Sequence, residues 1–172
     1  MSQFCSNRFE CITRMVPEDA RVLAEIGYDH GQILLRAARK LPAPAQIIGV
    51  EKQSGAARRF TDRHGHNPWI GRIDLRCGSG LAPLRDDEFD TIVLAGLGEG
   101  RICEILGADV RRLQRVRSLL CMPLQRQGRL EPFLRECGFE AVREDAAIER
   151  GRYYPLTQFV PARSTLRARS PR

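Results

Sequence analysis

Lysine is almost missing from this chain: Lys40 and Lys52 are the only two among its 28 basic residues. Also missing is any apolar run near the roughly 20 residues that span a membrane, which excludes a transmembrane helix. The N-terminal MSQFCSNRFECITR has no continuous apolar core and no small-residue cleavage site, so it does not read as an export signal, and the cytoplasm is the expected location. No CxxC pair occurs among the six cysteines, and only three histidines could join them. A zinc site is therefore not expected, and the isolated cysteines read as small, mostly buried apolar side chains. No internal repeat is visible.

What is present is an arginine-rich chain of 172 residues with a formal net charge of +7. That length suits one domain with a sizeable core. Excess positive charge favours polyanionic partners such as RNA or DNA. Within it, Arg111, Arg112, Arg115 and Arg117 form the densest internal cluster, a phosphate-gripping surface or a solvated helix face. Residues 163–172, RSTLRARSPR, have too little apolar content to fold and are expected to form a disordered basic tail behind a domain over 1–162.

Strand and helix patterns alternate. Residues 7–15 carry Phe9, Ile12 and Met15 at helical spacing. Strands are expected at 21–26, 46–51, 70–77, 89–96 and 116–123, and helices at 30–40, SGAARRFTDRHG, GRICEILG and GRLEPFLREC. The ending departs from the alternation: two strand patterns meet at Glu149-Arg150-Gly151 and read as a hairpin. Such a pattern predicts an α/β fold with a mostly parallel seven-stranded sheet, helices on both faces and an antiparallel hairpin at its edge. Ligands of these sheets bind beyond the carboxyl ends of the strands, here Gly27, Glu51, Ser79, Gly96 and Pro123.

The first of these ends carries Gly27-Tyr28-Asp29-His30-Gly31. Gly27 permits a tight turn and a close approach to backbone, and the next helix offers free N–H groups to an anion. The stretch is not GxGxxG, so it fits a pyrophosphate-bearing dinucleotide poorly and a single carboxylate better. Glu51 follows Gly27 by 24 residues, close to the ~20-residue interval at which an acid meets ribose hydroxyls in nucleotide-binding folds.

The segments VPEDARVLAEIGYDHG, IIGVEK, CGSGL, DTIVLAGLGEG and LLCMPLQRQGRLEPFLRECGF, in this order, resemble the S-adenosylmethionine-dependent tRNA adenine-22 N1-methyltransferases over about residues 7–160. The resemblance implies the class I, Rossmann-like methyltransferase fold and S-adenosyl-L-methionine as cofactor. It would place Gly27 and Glu51 at the cofactor's methionine and ribose, Gly78, Ser79, Gly80 and Leu81 near its adenine, and Asp29 at the target base. Gly96 and Gly98 would let cofactor or base lie against backbone. Apart from the resemblance, Tyr28, or Phe and Tyr side chains elsewhere near the strand ends, could stack on a flipped base. For His30 three roles stand side by side: pairing with Asp29, contacting a phosphate, or packing. Asp29 itself could serve as a helix cap as well as a catalytic group.

The chain also departs from the family's pattern. Glu25 stands where the family has Asp, Tyr28 where it has Ser, Ser79 where the adenine-contacting loop has an acid, and Met122-Pro123-Leu124 where it has QPN. The family's C-terminal coiled coil is expected to be absent, which would leave a partner to supply it. The expected activity is methylation of adenine N1 in tRNA. The alternatives are another RNA, a small substrate, or a weakly catalytic relative that binds cofactor or RNA.

Overall fold

Side-chain parity organises the molecule, because successive strand residues point to opposite faces of a sheet. The computed structural model describes residues 5–162; the basic tail expected from residue 163 lies outside the described residues. In chain order the elements are α1 (Arg8–Met15), β1 (Val22–Ile26), α2 (Gln32–Lys40), β2 (Gln46–Glu51), α3 (Ala56–His64), β3 (Ile73–Cys77), β4 (Thr91–Ala95), α4 (Glu99–Gly107), α5 (Val110–Leu113), β5 (Ser118–Met122), α6 (Leu130–Glu136), β6 (Phe139–Glu149) and β7 (Arg152–Pro161). The short α5 lies inside a stretch for which no helix is expected from the pattern.

All seven strands join one sheet in the order β3-β2-β1-β4-β5-β7-β6. The first five are parallel, and β7 and β6 are antiparallel. The expected fold is therefore the observed one. Leu23, Ile47, Val93 and Leu120 enter a core beneath α1, α2 and α3. Their neighbours Ala24, Ile48, Ile92 and Leu119 enter a second core beneath α4, α5 and α6. Each fully buried leucine or isoleucine contributes roughly 1.5–3 kcal/mol, so the two cores together hold the central strands rigid.

Polar groups fix the ends. The Asn7 side chain caps α1 by accepting from the backbone N–H groups of Phe9 and Glu10. At the amino ends of the strands, the carboxylate of Asp90 accepts from the N–H groups of Arg21 and Val22 at 2.6 and 3.1 Å, which ties β1 to β4. The N–H of Ile148 donates to the carbonyl of Cys5, so β6 is pinned to the segment before α1. The pairing of Cys121 with Thr157 leaves Arg152–Pro155 of β7 beyond the carboxyl end of β5. The hairpin tip thus overhangs that edge of the sheet.

Candidate active site

The strand order reverses between the parallel neighbours β1 and β4: β2 and β3 are added outward on one side of β1, while β4 and β5 lie on the other. A crevice opens at such a switch point because the loops leaving the two strands diverge. Both strands end in a glycine with positive φ, Gly27 at +79° and Gly96 at +73°. An L side chain would be strained at either position, so bare backbone faces the crevice. The resulting cleft has a volume of about 570 Å³ and includes Glu25, Gly27, Asp29, Glu51, Gly78 and Gly96 in its wall. That is the size range of sites for small molecules and cofactors.

Three acids give the cleft its chemistry. Glu25 is only 4% exposed, and its Oε2 has no hydrogen-bond partner among the described residues. Burial pushes its carboxyl well above the ordinary carboxylate range; the Asp29 charge adds to this, and the N–H of Leu34 opposes it. An orphaned oxygen in a cleft wall is costly unless a donor comes from outside the chain. Glu51, half-buried at the end of β2, accepts from the N–H of Gln53 at 3.2 Å and keeps its second oxygen uncommitted among the described residues. Asp29 stands at the rim with its side chain 79% exposed.

The rim is built by a tight turn in which the N–H of Gly31 donates to the carbonyl of Tyr28 at 2.6 Å. Asp29 lies inside it at φ +41°, a left-handed conformation that Asp tolerates better than most residues. Helix α2 starts after the turn with Gly31 at its N-cap and no side-chain cap. Asp29 therefore does not cap α2, and its carboxylate is left to face outward. Of the three roles open for His30, pairing with Asp29 is the one seen, at 3.3 Å.

Other expected residues fall in different places. Gly80 lines the cleft with Gly78, but Ser79 points to solvent outside its wall and Leu81 is buried in the second core beneath it. Tyr28 is 3% exposed, and its ring meets Phe60 edge to face at 6.0 Å. Tyr28 borders the cleft as part of this packing, which leaves little of the ring for a base to stack on. Gly98 starts α4 and lies outside the lining; Pro123 lines a separate small cavity, while its neighbours Met122 and Leu124 line the cleft.

The cluster at 111–117 lies away from the cleft. Arg112 pairs with Asp109, donates to the carbonyl of Leu84 and lies over the Phe89 ring. Arg115 pairs with Asp86 at 3.0 Å, and the backbone N–H of Arg117 donates to the carbonyl of Asp90. These contacts put α5, with Arg111, at the amino ends of β4 and β5, opposite the cleft. Most of its charge is already neutralised locally.

Several lining residues were given no site role from the sequence. Glu25 carries a recognisable signal, a lone acid inside the apolar strand VLAEI, and such strands are otherwise continuous hydrophobic runs when buried on both faces. Arg8, Phe9 and Tyr154 also border the cleft, and nothing local marks them because the overhanging hairpin and α1 bring them there. Among the described residues no group of three or more His, Cys, Asp or Glu is arranged to hold a metal ion, and no helix is long and apolar enough to cross a membrane.

Against known proteins, residues 5–157 match the family model described as Methyltransferase domain. The chain is 28% identical over 154 residues to the tRNA (adenine(22)-N(1))-methyltransferase of Bacillus subtilis, covering 88% of this chain and 63% of that protein. It thus spans less than two thirds of the relative's length. The crystal structure of the B. subtilis M1A22 tRNA methyltransferase TrmK superposes with a TM-score of 0.80 at 23% identity, over 91% of this chain and 66% of that one. M. capricolum TrmK, in complex with the cofactor product S-adenosyl-homocysteine, gives 0.75 at 16% identity, over 92% and 69%.

Proposed function

The chain belongs to the methyltransferase-domain family, and from that premise we propose that it is an S-adenosylmethionine-dependent enzyme that methylates N1 of adenine in tRNA. The cleft suits the cofactor. Glu51, at the end of β2, can accept from both hydroxyls of one ribose. The unpaired Oε2 of Glu25 suits a cationic donor such as an amino-acid ammonium. Gly27, Gly78 and Gly96 leave room for a ligand against backbone. When bound, S-adenosylmethionine supplies an electrophilic methyl group.

The observation that carries the reading is Asp29, an exposed carboxylate held at the rim of that cleft by a left-handed turn. Adenine N1 already has a lone pair, so no base has to remove a proton from it. A carboxylate that accepts from the exocyclic amine instead orients the ring, raises electron density at N1 and offsets the positive charge that the methylated base acquires. His30 holds Asp29 in place for this. We place the catalytic domain at residues 1–162 and the enzyme in the cytoplasm with its tRNA. Grip on RNA beyond the cleft comes from other surfaces of this chain or from a partner protein.

The test is transfer of labelled methyl from S-adenosylmethionine to unfractionated tRNA, followed by nucleoside analysis. Labelled 1-methyladenosine from the native chain, and none from Asp29→Ala, is the expected result. No transfer to tRNA by a protein that binds the cofactor would overturn the substrate.

A further inference from the structure

Beside the cleft lies a second depression of about 470 Å³, which shares Arg8, His30 and Tyr154 with it and continues past them to Arg63, Arg150 and Arg152. Four segments far apart in sequence meet there: α1, the turn before α2, the last turn of α3, and the hairpin tip that overhangs the sheet edge. Four guanidinium groups face this space, against the single carboxylate of Glu149. Glu149 pairs with Arg8 at 3.4 Å. Arg8 is held further by a 3.0 Å bond to the Tyr154 hydroxyl and by stacking over the Phe9 and Tyr154 rings.

Arg63, Arg150 and Arg152 are exposed, and none has a carboxylate within ion-pair distance among the described residues. Arg63 spends one N–H on Nδ1 of His30, and Arg152 makes a long 3.4 Å contact to the carbonyl of Leu124 and lies over the Tyr154 ring at 5.4 Å. Their other N–H donors have no acceptor among the described residues. Gathering like charges in one hollow costs free energy, and a bound polyanion would offset it. This differs from the α5 cluster, where Asp86 and Asp109 already do so.

We propose that this groove holds the sugar–phosphate backbone of the RNA strand flanking the target base, with Arg63, Arg150 and Arg152 on its phosphates. The proposal rests on the RNA reading of the cleft. It assigns to the hairpin tip and α3 a grip on substrate that leads directly to Asp29, since His30 belongs to both the groove and the rim. Guanidinium contacts to phosphate position a strand without reading its sequence.

Direct binding tests it. Unfractionated tRNA is titrated with the full chain at several salt concentrations, comparing the native protein, the double variant Arg150→Ala/Arg152→Ala, Arg63→Ala, and Arg111→Ala/Arg115→Ala as a control at the far end of the sheet. The double variant is expected to bind tRNA at least about tenfold more weakly and to lower the slope of log K against log salt by roughly 1.4–1.8, the loss of two phosphate contacts. Arg63→Ala is expected to lower it by about half as much. Binding of labelled S-adenosylmethionine should be unchanged in both, which establishes that they fold. The control pair should leave affinity and slope as they are.

Equal affinity and slope in the double variant overturn the groove. So does a native protein that binds vesicles of anionic phospholipid as tightly as tRNA. The two readings separate cleanly: a native chain that forms 1-methyladenosine while the double variant binds tRNA normally loses the groove and keeps the function. A chain that grips tRNA through these arginines but labels no adenine keeps the groove and loses the function.

Discussion

Nε2 of His30 lies 3.3 Å from Oδ2 of Asp29. Nδ1 of the same ring meets an N–H of Arg63, and arginine can only donate, so Nδ1 is the acceptor and the neutral ring carries its proton on Nε2. A chain of donors therefore runs from Arg63 through His30 to Asp29. It leaves one carboxylate oxygen of Asp29 free of partners among the described residues and aimed outward.

Replacing Asp29 with Ala removes the group that orients the base, and methyl transfer should fall by about 10²-fold or more. Affinity for S-adenosylmethionine should change little, since Asp29 stands at the rim. His30→Gln, which can still donate to Asp29, should retain more activity than His30→Ala. Single-turnover transfer and equilibrium cofactor binding, measured on the same preparations, decide this; comparable activity in His30→Gln and His30→Ala would rule out the positioning role.

Glu51→Ala should act in the opposite way. Hydrogen bonds to a charged acceptor are worth about 1.5–3 kcal/mol, so cofactor affinity should drop by about 10- to 100-fold. Turnover at saturating cofactor should largely survive. Calorimetric titration with S-adenosyl-homocysteine reads the affinity, and an unchanged Kd would remove Glu51 from the site.

Glu25 makes a pH prediction. Its folded-state carboxyl is raised above the ordinary 4.5 by burial, so the native protein keeps a proton that the unfolded chain releases. Stability from this group is complete below that ordinary value and declines as pH rises above it, until the native carboxyl itself ionises. Glu25→Gln cannot ionise and is exempt. Thermal unfolding of the ligand-free proteins from about pH 5 to pH 8 should therefore favour the variant increasingly with pH. A constant difference between the two melting curves would contradict a buried neutral Glu25.

Glu88 has the reverse sign. It is 1% exposed and pairs with Arg76 and Arg85, each at 2.6 Å, while also accepting from the backbone N–H of Arg85. The Arg76 guanidinium holds its carboxyl below the ordinary 4.5, against the effect of burial. That stabilisation is present above the unfolded value and is lost as pH falls through the folded one. Glu88→Gln should cost about 1.5–3 kcal/mol at neutral pH, because half-buried Arg76 loses a charged acceptor but keeps Asp74 at 2.7 Å. The deficit should shrink in acid, and denaturant unfolding at pH 7 and pH 3.5 measures both.

Much of the architecture was legible because it depends on local pattern. Apolar segments of strand length alternating with amphipathic helices imply a parallel sheet, and Glu149-Arg150-Gly151 marks the hairpin by itself, with Arg150 and Gly151 both at positive φ. Glycine at the end of β1, the acid at the end of β2 and the Asp-His pair between them could be placed at one edge of the sheet from spacing alone, since parallel strands bring their carboxyl ends together. Local pattern says nothing of which side chains from distant segments meet. Tyr28 looks available beside Asp29 in sequence, yet Phe60 draws its ring into the core.

Charge misleads for the same reason: the arginines crowded at 111–117 are largely answered by Asp86, Asp109 and Asp19. Among the arginines left without a carboxylate partner, Arg63, Arg150 and Arg152 are scattered in sequence and collected into one hollow by the fold. The order of strands and helices, and the glycines and acids at their ends, can be read along the chain because they follow from periodicity and backbone conformation. Which charges are neutralised, which rings are buried and which arginines stand beside Asp29 emerges from the folded chain alone, because these depend on contacts between residues tens to more than a hundred positions apart.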